Sequence, residues 1–118
     1  MLFIWYPKCT TCVRAKRWLD ANGLSYTTRH IKDDNPSRTE LREFWKQSGL
    51  PLRKFFNTSG TLYRSLSLKE RLPSMSDEEM IELLSSDGML VKRPIVVTDD
   101  GRILLGFNEN TYSTLLKE

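Results

Sequence analysis

Apolar residues fall along this chain in short runs whose periods predict its elements. Leu2 to Tyr6 is an unbroken apolar run rich in aromatic and β-branched residues, the pattern of a buried strand, and Pro7 ends it. A helix opens near Thr10, with Cys12, Ala15 and Leu19 on one face and Lys16 and Arg17 off it. Asn22-Gly23 is its stop signal. Leu24 to Ile31 reads as a second strand with polar alternation, and Asn35-Pro36-Ser37 as a turn. Ser37 with Glu40 is a capping-box signature, and Leu41, Phe44 and Trp45 form the stripe of the helix it starts, ending near Ser48-Gly49. Leu52 to Leu72 has no clean period and predicts short helices, with turns at 57–60 and near Pro73. Ser76 with Glu79 repeats the capping box ahead of Met80, Ile81, Leu83 and Leu84, and Asp87-Gly88 closes that helix. Ile95 to Thr98 and Ile103 to Leu105 are short strands flanking Asp99-Asp100-Gly101, a hairpin turn. Asn108 caps a last helix, with Tyr112, Leu115 and Leu116 expected to face inward.

The order is strand, helix, strand, then helices, a hairpin and a helix. Two strands joined by a helix are expected to be parallel, and the hairpin strands antiparallel. The segment 37–88 reads as a helical insertion between two halves of a sheet domain, about 1–36 and 89–118. A length of 118 residues suits one domain. With 39% apolar and 28% charged residues the chain reads as an ordinary globular protein rather than a disordered or membrane-embedded one. Two cysteines do not make a disulfide-stapled secreted scaffold, so the expected location is the cytoplasm.

The net charge of +3 is mild, but its distribution is not. Met1 to Leu72 carries 14 Lys/Arg against 6 Asp/Glu, and Pro73 to Glu118 carries 4 against 9. The two parts can neutralise each other within one fold, or the basic part can offer a surface to an anionic substrate or acidic partner. No run of Lys/Arg interleaved with aromatics marks a nucleic-acid platform.

Both cysteines lie in Cys9-Thr10-Thr11-Cys12, after a predicted strand and at a predicted helix start. That context reads as a redox pair. Helix N-termini present unpaired N–H groups and partial positive charge, which favour a thiolate. Lys8, Arg14, Lys16 and Arg17 are near in sequence and add cationic potential. Thiolate is the attacking species, so Cys9 is the candidate nucleophile and Cys12 the resolving thiol. Three other readings stand beside this one: two packed cysteines, half of a zinc site that would need a dimer because His30 is the only histidine, and a structural disulfide. His30 reads as a surface or packing residue. The sequon at 57–59 carries no function in a cytoplasmic chain. Pro94, directly before an apolar strand, is a candidate cis proline. Arg93 is either a solvated charge or a ligand for an anion or the thiolate.

The stretch from Tyr6 to Cys12, Asn35-Pro36-Ser37, the run from Asp87 to Val97 and Leu105-Gly106-Phe107-Asn108-Glu109 together resemble the arsenate reductase/Spx family over nearly the whole chain. The resemblance implies an α/β, thioredoxin-like (glutaredoxin-type) mixed sheet with an inserted helical subdomain, and a cis bond at Arg93-Pro94. It implies Cys9 as nucleophile, Cys12 as second member of an Spx-type pair, and Arg93 as oxyanion ligand; Lys8 and Arg14, by their closeness in sequence to the cysteines, are further anion-binding candidates. No bound cofactor is implied; glutathione with glutaredoxin, or thioredoxin, would supply electrons. Two further oxyanion-binding arginines of arsenate reductases fall at Asn57 and Gly106, and losing two cations weakens binding of a divalent anion. The second branch implies a redox-sensing regulator that binds the RNA polymerase α subunit through a surface near 49–54, where this chain carries Arg53 and Lys54. Two expectations follow: a thiol–disulfide oxidoreductase with a redox partner protein, and an Spx-like regulator. Neither involves direct nucleic-acid or membrane binding.

Overall fold

A computed structural model describes residues 1–117. Its sheet is built from β1 (Leu2–Trp5), β2 (Thr27–His30), β3 (Ile95–Val97) and β4 (Ile103–Leu105), in the order β2-β1-β3-β4. β1 and β2 are parallel, with Leu2 opposite Thr27, as their helical crossover requires. β1 pairs with β3 and β3 with β4 antiparallel. Helix α1 (Thr10–Ala21) connects β1 to β2, and α6 (Glu109–Leu116) follows β4. Between β2 and β3 come α2 (Arg38–Ser48), α3 (Thr61–Ser65), α4 (Leu68–Arg71) and α5 (Asp77–Ser86), with short 3-10 turns at Leu52–Phe55, Leu72–Ser74 and Gly88–Leu90. This is the thioredoxin-like mixed sheet with a helical segment inserted between its halves.

Alternation along the strands divides the core in two, because neighbouring residues point to opposite faces. Phe3, Val96 and Leu104 pack with Ala15, Leu19 and Tyr112 beneath α1 and α6. Ile4 and Ile95 face the other way, into a larger cluster with Leu41, Phe55, Phe56, Leu68, Ile81 and Leu84 from the inserted helices.

Both capping boxes form. Ser37 Oγ accepts from the Glu40 N–H and the Glu40 carboxylate accepts from the Ser37 N–H; Ser76 and Glu79 do the same. Asn108 caps α6 by accepting from the Thr111 N–H. Gly23 and Gly49 end α1 and α2 in the left-handed conformation expected of them. The inserted segment returns to the sheet through Asn57 N–H to Leu90 carbonyl (2.8 Å) and Lys92 N–H to Phe55 carbonyl (2.7 Å).

Two expectations need correction. The second strand does not begin at Leu24: the Leu24 N–H is bonded to the Leu19 carbonyl at the end of α1, so it is not available to a sheet. Leu115 does not face inward but is 38% exposed. Only one side of α6 meets the sheet; Tyr112 and Leu116, four apart, take it. Part of the uneven charge is neutralised across the fold by exposed pairs: Arg38 with Glu82 (2.8 Å), Arg42 with Glu78, and the amino terminus with Asp99 (2.6 Å).

Candidate active site

The cysteine pair sits where β1 hands over to α1. The Cys9 N–H closes a turn onto the Tyr6 carbonyl (3.0 Å) and the Cys9 carbonyl accepts from Val13, so Cys9 is the N-cap of α1. Cys12 is one turn further and fully buried; its sulfur accepts from the Tyr6 N–H at 3.5 Å. Cys9 is half-buried and lines an open cleft of about 530 Å³. No bond joins the two sulfurs in this structure.

The surroundings separate the two sulfurs. Burial raises the Cys9 pKa, but the backbone N–H and thiol of Cys12 and the charge of Arg93 together outweigh it, so its pKa lies below the ordinary thiol value. Burial pushes Cys12 up to about 12, helped by the neighbouring Cys9 sulfur and only partly opposed by the Tyr6 N–H. The surroundings therefore favour the thiolate at Cys9 more than at an ordinary thiol, and disfavour it at Cys12 beneath.

Arg93 arrives from the far end of the chain. The Arg93-Pro94 bond is cis. The guanidinium lies 5.3 Å above the Tyr6 ring and donates to the Met89 carbonyl at 3.3 Å. Its buried Nε–H has no hydrogen-bond partner among the described residues.

Of the sequence candidates, Cys9, Cys12 and Arg93 come together, and Pro94 adjoins Arg93 through the cis bond, whereas Lys8 and Arg14 do not join the cleft. Lys8 is exposed in the turn before α1, and Arg14 lies 5.6 Å over the Phe107 ring. Lys16 pairs with Asp20 at 3.2 Å, and Arg17 is exposed on α1. The helix turns these cations away, so the local positive charge at Cys9 comes from Arg93. His30 stays off the cleft, its Nδ1 accepting from the Lys32 and Asp33 N–H groups while its ring meets Tyr6 edge-on. The cleft wall includes Asn57, which the resemblance had placed at the site, and, missed by sequence reasoning, Thr11, Ser59, Asp87, Met89 and Lys92 among others. Asp87, Met89 and Lys92 lie in the motif that carried the resemblance, and that was the one available signal for them.

The sequence pattern of the ArsC family matches residues 4–115. The uncharacterised protein YusI of Bacillus subtilis is 50% identical over 112 residues, covering 95% of this chain and 94% of YusI. A Bacteroides fragilis crystal structure described as ArsC family related superposes with a TM-score of 0.92 at 50% identity, over 97% of this chain and 95% of that one. The regulatory protein MgsR of Bacillus subtilis is 29% identical over 118 residues, all of this chain and 91% of MgsR.

Proposed function

The chain belongs to the ArsC family, and on that footing we propose that it is a thiol–disulfide oxidoreductase in which Cys9 attacks and Cys12 resolves. The observation that carries this reading is the opposite perturbation of two sulfurs one helical turn apart, Cys9 downward and Cys12 up to about 12. The Cys9 thiolate attacks a disulfide sulfur; a Cys9 mixed disulfide forms and one substrate thiolate leaves. Cys12 then gives its proton to that thiolate and attacks the Cys9 sulfur. A Cys9–Cys12 disulfide forms and the second thiolate leaves, so two electrons pass from the pair to the substrate. Glutathione with glutaredoxin, or thioredoxin, returns them, and the cytoplasm is the compartment that keeps such donors reduced. Arg93 holds the thiolate form of Cys9 ready.

Arsenate is the oxyanion to try first, with Arg93 as its ligand. The test follows NADPH consumption with arsenate and with a small disulfide, separately with glutathione/glutaredoxin and thioredoxin, for wild type, Cys9→Ser and Cys12→Ser. Cys9→Ser is expected to abolish turnover, and Cys12→Ser to accumulate a mixed disulfide on Cys9 visible by mass. Full turnover by Cys9→Ser refutes the reading.

A second reading is favoured by the similarity to MgsR along the whole chain. Here the redox state of the pair would set affinity for the RNA polymerase α subunit. Leu50, 39% exposed and close in sequence to exposed Arg53 and Lys54, is the surface to probe. Absence of binding to the α C-terminal domain by both the reduced and the oxidised protein sinks it.

A further inference from the structure

The cleft beside Cys9 holds a second cation with no task among the residues described so far. Arg93 is engaged by Tyr6, the Met89 carbonyl and the Cys9 sulfur. Asp87, the carboxylate lining the cleft, accepts from the Met89 N–H at 2.8 Å. Arg64, which is exposed on α3, donates to the Ser59 carbonyl at 3.2 Å. Lys92 alone among the charged residues lining the cleft has neither an ion-pair partner nor a side-chain hydrogen bond among the described residues. Its backbone N–H is anchored to the Phe55 carbonyl, so the start of its stem is fixed.

The stem is fixed as well. Gly106 adopts a φ of 74°, and a Cβ there would lie 3.2 Å from Lys92 Cε and 3.9 Å from Nζ. The Gly106 N–H is bonded to the Pro94 carbonyl, and Tyr112 Oη donates to the Gly106 carbonyl, so this backbone is held from both sides. The missing side chain leaves space along which the Lys92 side chain runs, and Lys92 is one of the residues that line the cleft. With no counter-ion among the described residues, the Lys92 ammonium is open to pairing with an anionic group of a ligand in the cleft.

We infer that Lys92 is a substrate-binding residue, and that the Cys9 cleft takes small disulfides carrying a carboxylate close to the reacting sulfur. The inference rests on the oxidoreductase reading and adds its substrate class. Lys92 binds the carboxylate while Cys9 attacks the sulfur. About 530 Å³ has room for a molecule of that size, and the wall around Lys92 mixes neutral polar residues (Thr11, Asn57, Ser59, Thr61, Ser65) with apolar Leu62 and Met89 and with Asp87, whose carboxylate is occupied by the Met89 N–H.

The experiment mixes the reduced full-length protein with dithiobis(nitrobenzoate), which bears a carboxylate on each ring, and with neutral dithiodipyridine. Both oxidise the pair by the balanced steps given above and release a coloured thiol. The ratio of the two second-order rates cancels any change in Cys9 itself. Lys92→Gln is expected to lower the anionic-to-neutral ratio about fivefold, the upper range for one partly exposed ion pair. Lys92→Arg should restore it. Lys8→Gln, an equal change of charge outside the cleft, should leave it untouched. An unchanged ratio in Lys92→Gln, or an equal fall in Lys8→Gln, overturns the assignment of Lys92. Failure of both reagents to modify Cys9 in wild type overturns the oxidoreductase reading instead.

Discussion

Neutralising Glu40 should loosen the joint between the sheet and the inserted helices, by an amount the structure allows to be worked out. Arg29 of β2 donates to both Glu40 oxygens, at 2.5 and 2.9 Å, and to the backbone carbonyls of Asp34 and Asn35 at 2.8 and 3.2 Å. Asn35 in turn donates to the Leu84 and Ser85 carbonyls at the end of α5. One guanidinium therefore ties β2 to the start of α2, and through Asn35 to α5. The Arg29 hydrogen bonds, opposed by burial and assisted by the Ser37 N–H, hold the Glu40 carboxyl at about 2 instead of 4.5. That difference corresponds to about 3 kcal/mol at ~1.36 kcal/mol per pH decade. Glu40 is 39% exposed, so solvent screening reduces the figure to about 1–2 kcal/mol. The folded pKa is depressed, so this stability is fully present above about 4.5 and is lost as pH falls through about 2. Glu40→Gln keeps an oxygen for the Ser37 N–H and removes the charge. Urea titrations of wild type, Glu40→Gln, Arg29→Met and the double variant should show the loss at pH 7, its disappearance toward pH 2, and a positive coupling between the two sites. A difference independent of pH, or zero coupling, refutes the assignment of this stability to the ion pair.

Other predictions follow from single contacts. Arg93→Met removes a cation that favours the Cys9 thiolate, so the inflection of the pH–rate profile for Cys9 alkylation should move to higher pH; an unmoved inflection would show that Arg93 does not act on Cys9. Gly88→Ala places a Cβ 2.0 Å from the Ile31 carbonyl oxygen and should cost about 2–3 kcal/mol in a denaturant titration, whereas wild-type stability would mean the turn can move aside. Tyr112→Phe leaves the Gly106 carbonyl without its buried donor at 2.7 Å and should cost about 1–2 kcal/mol, read as a lower Tm; an unchanged Tm counts against that bond.

The sequence by itself determined what depends on near neighbours. Cap chemistry at Ser37, Ser76 and Asn108, stop glycines at 23 and 49 and the hairpin turn at 99–101 act over a few residues, so a local pattern suffices to place them. The Cys9/Cys12 pair was legible for the same reason, its spacing being one helical turn. Tertiary structure decided what needs distant chain. Which strand face meets which cluster depends on whether a neighbour lies above or below, so Phe3 and Ile4 part company only once α1 and the inserted helices are packed. β2 is shorter than the pattern from Leu24 predicts because the Leu24 N–H is taken by the end of α1. Charge at the site behaved likewise. Lys8 and Arg14 are next to Cys9 along the chain and turn away from its cleft, while Arg93 and Lys92, from the opposite end, converge on it. Electrostatic influence falls with distance in space, and folding alone converts sequence separation into that distance.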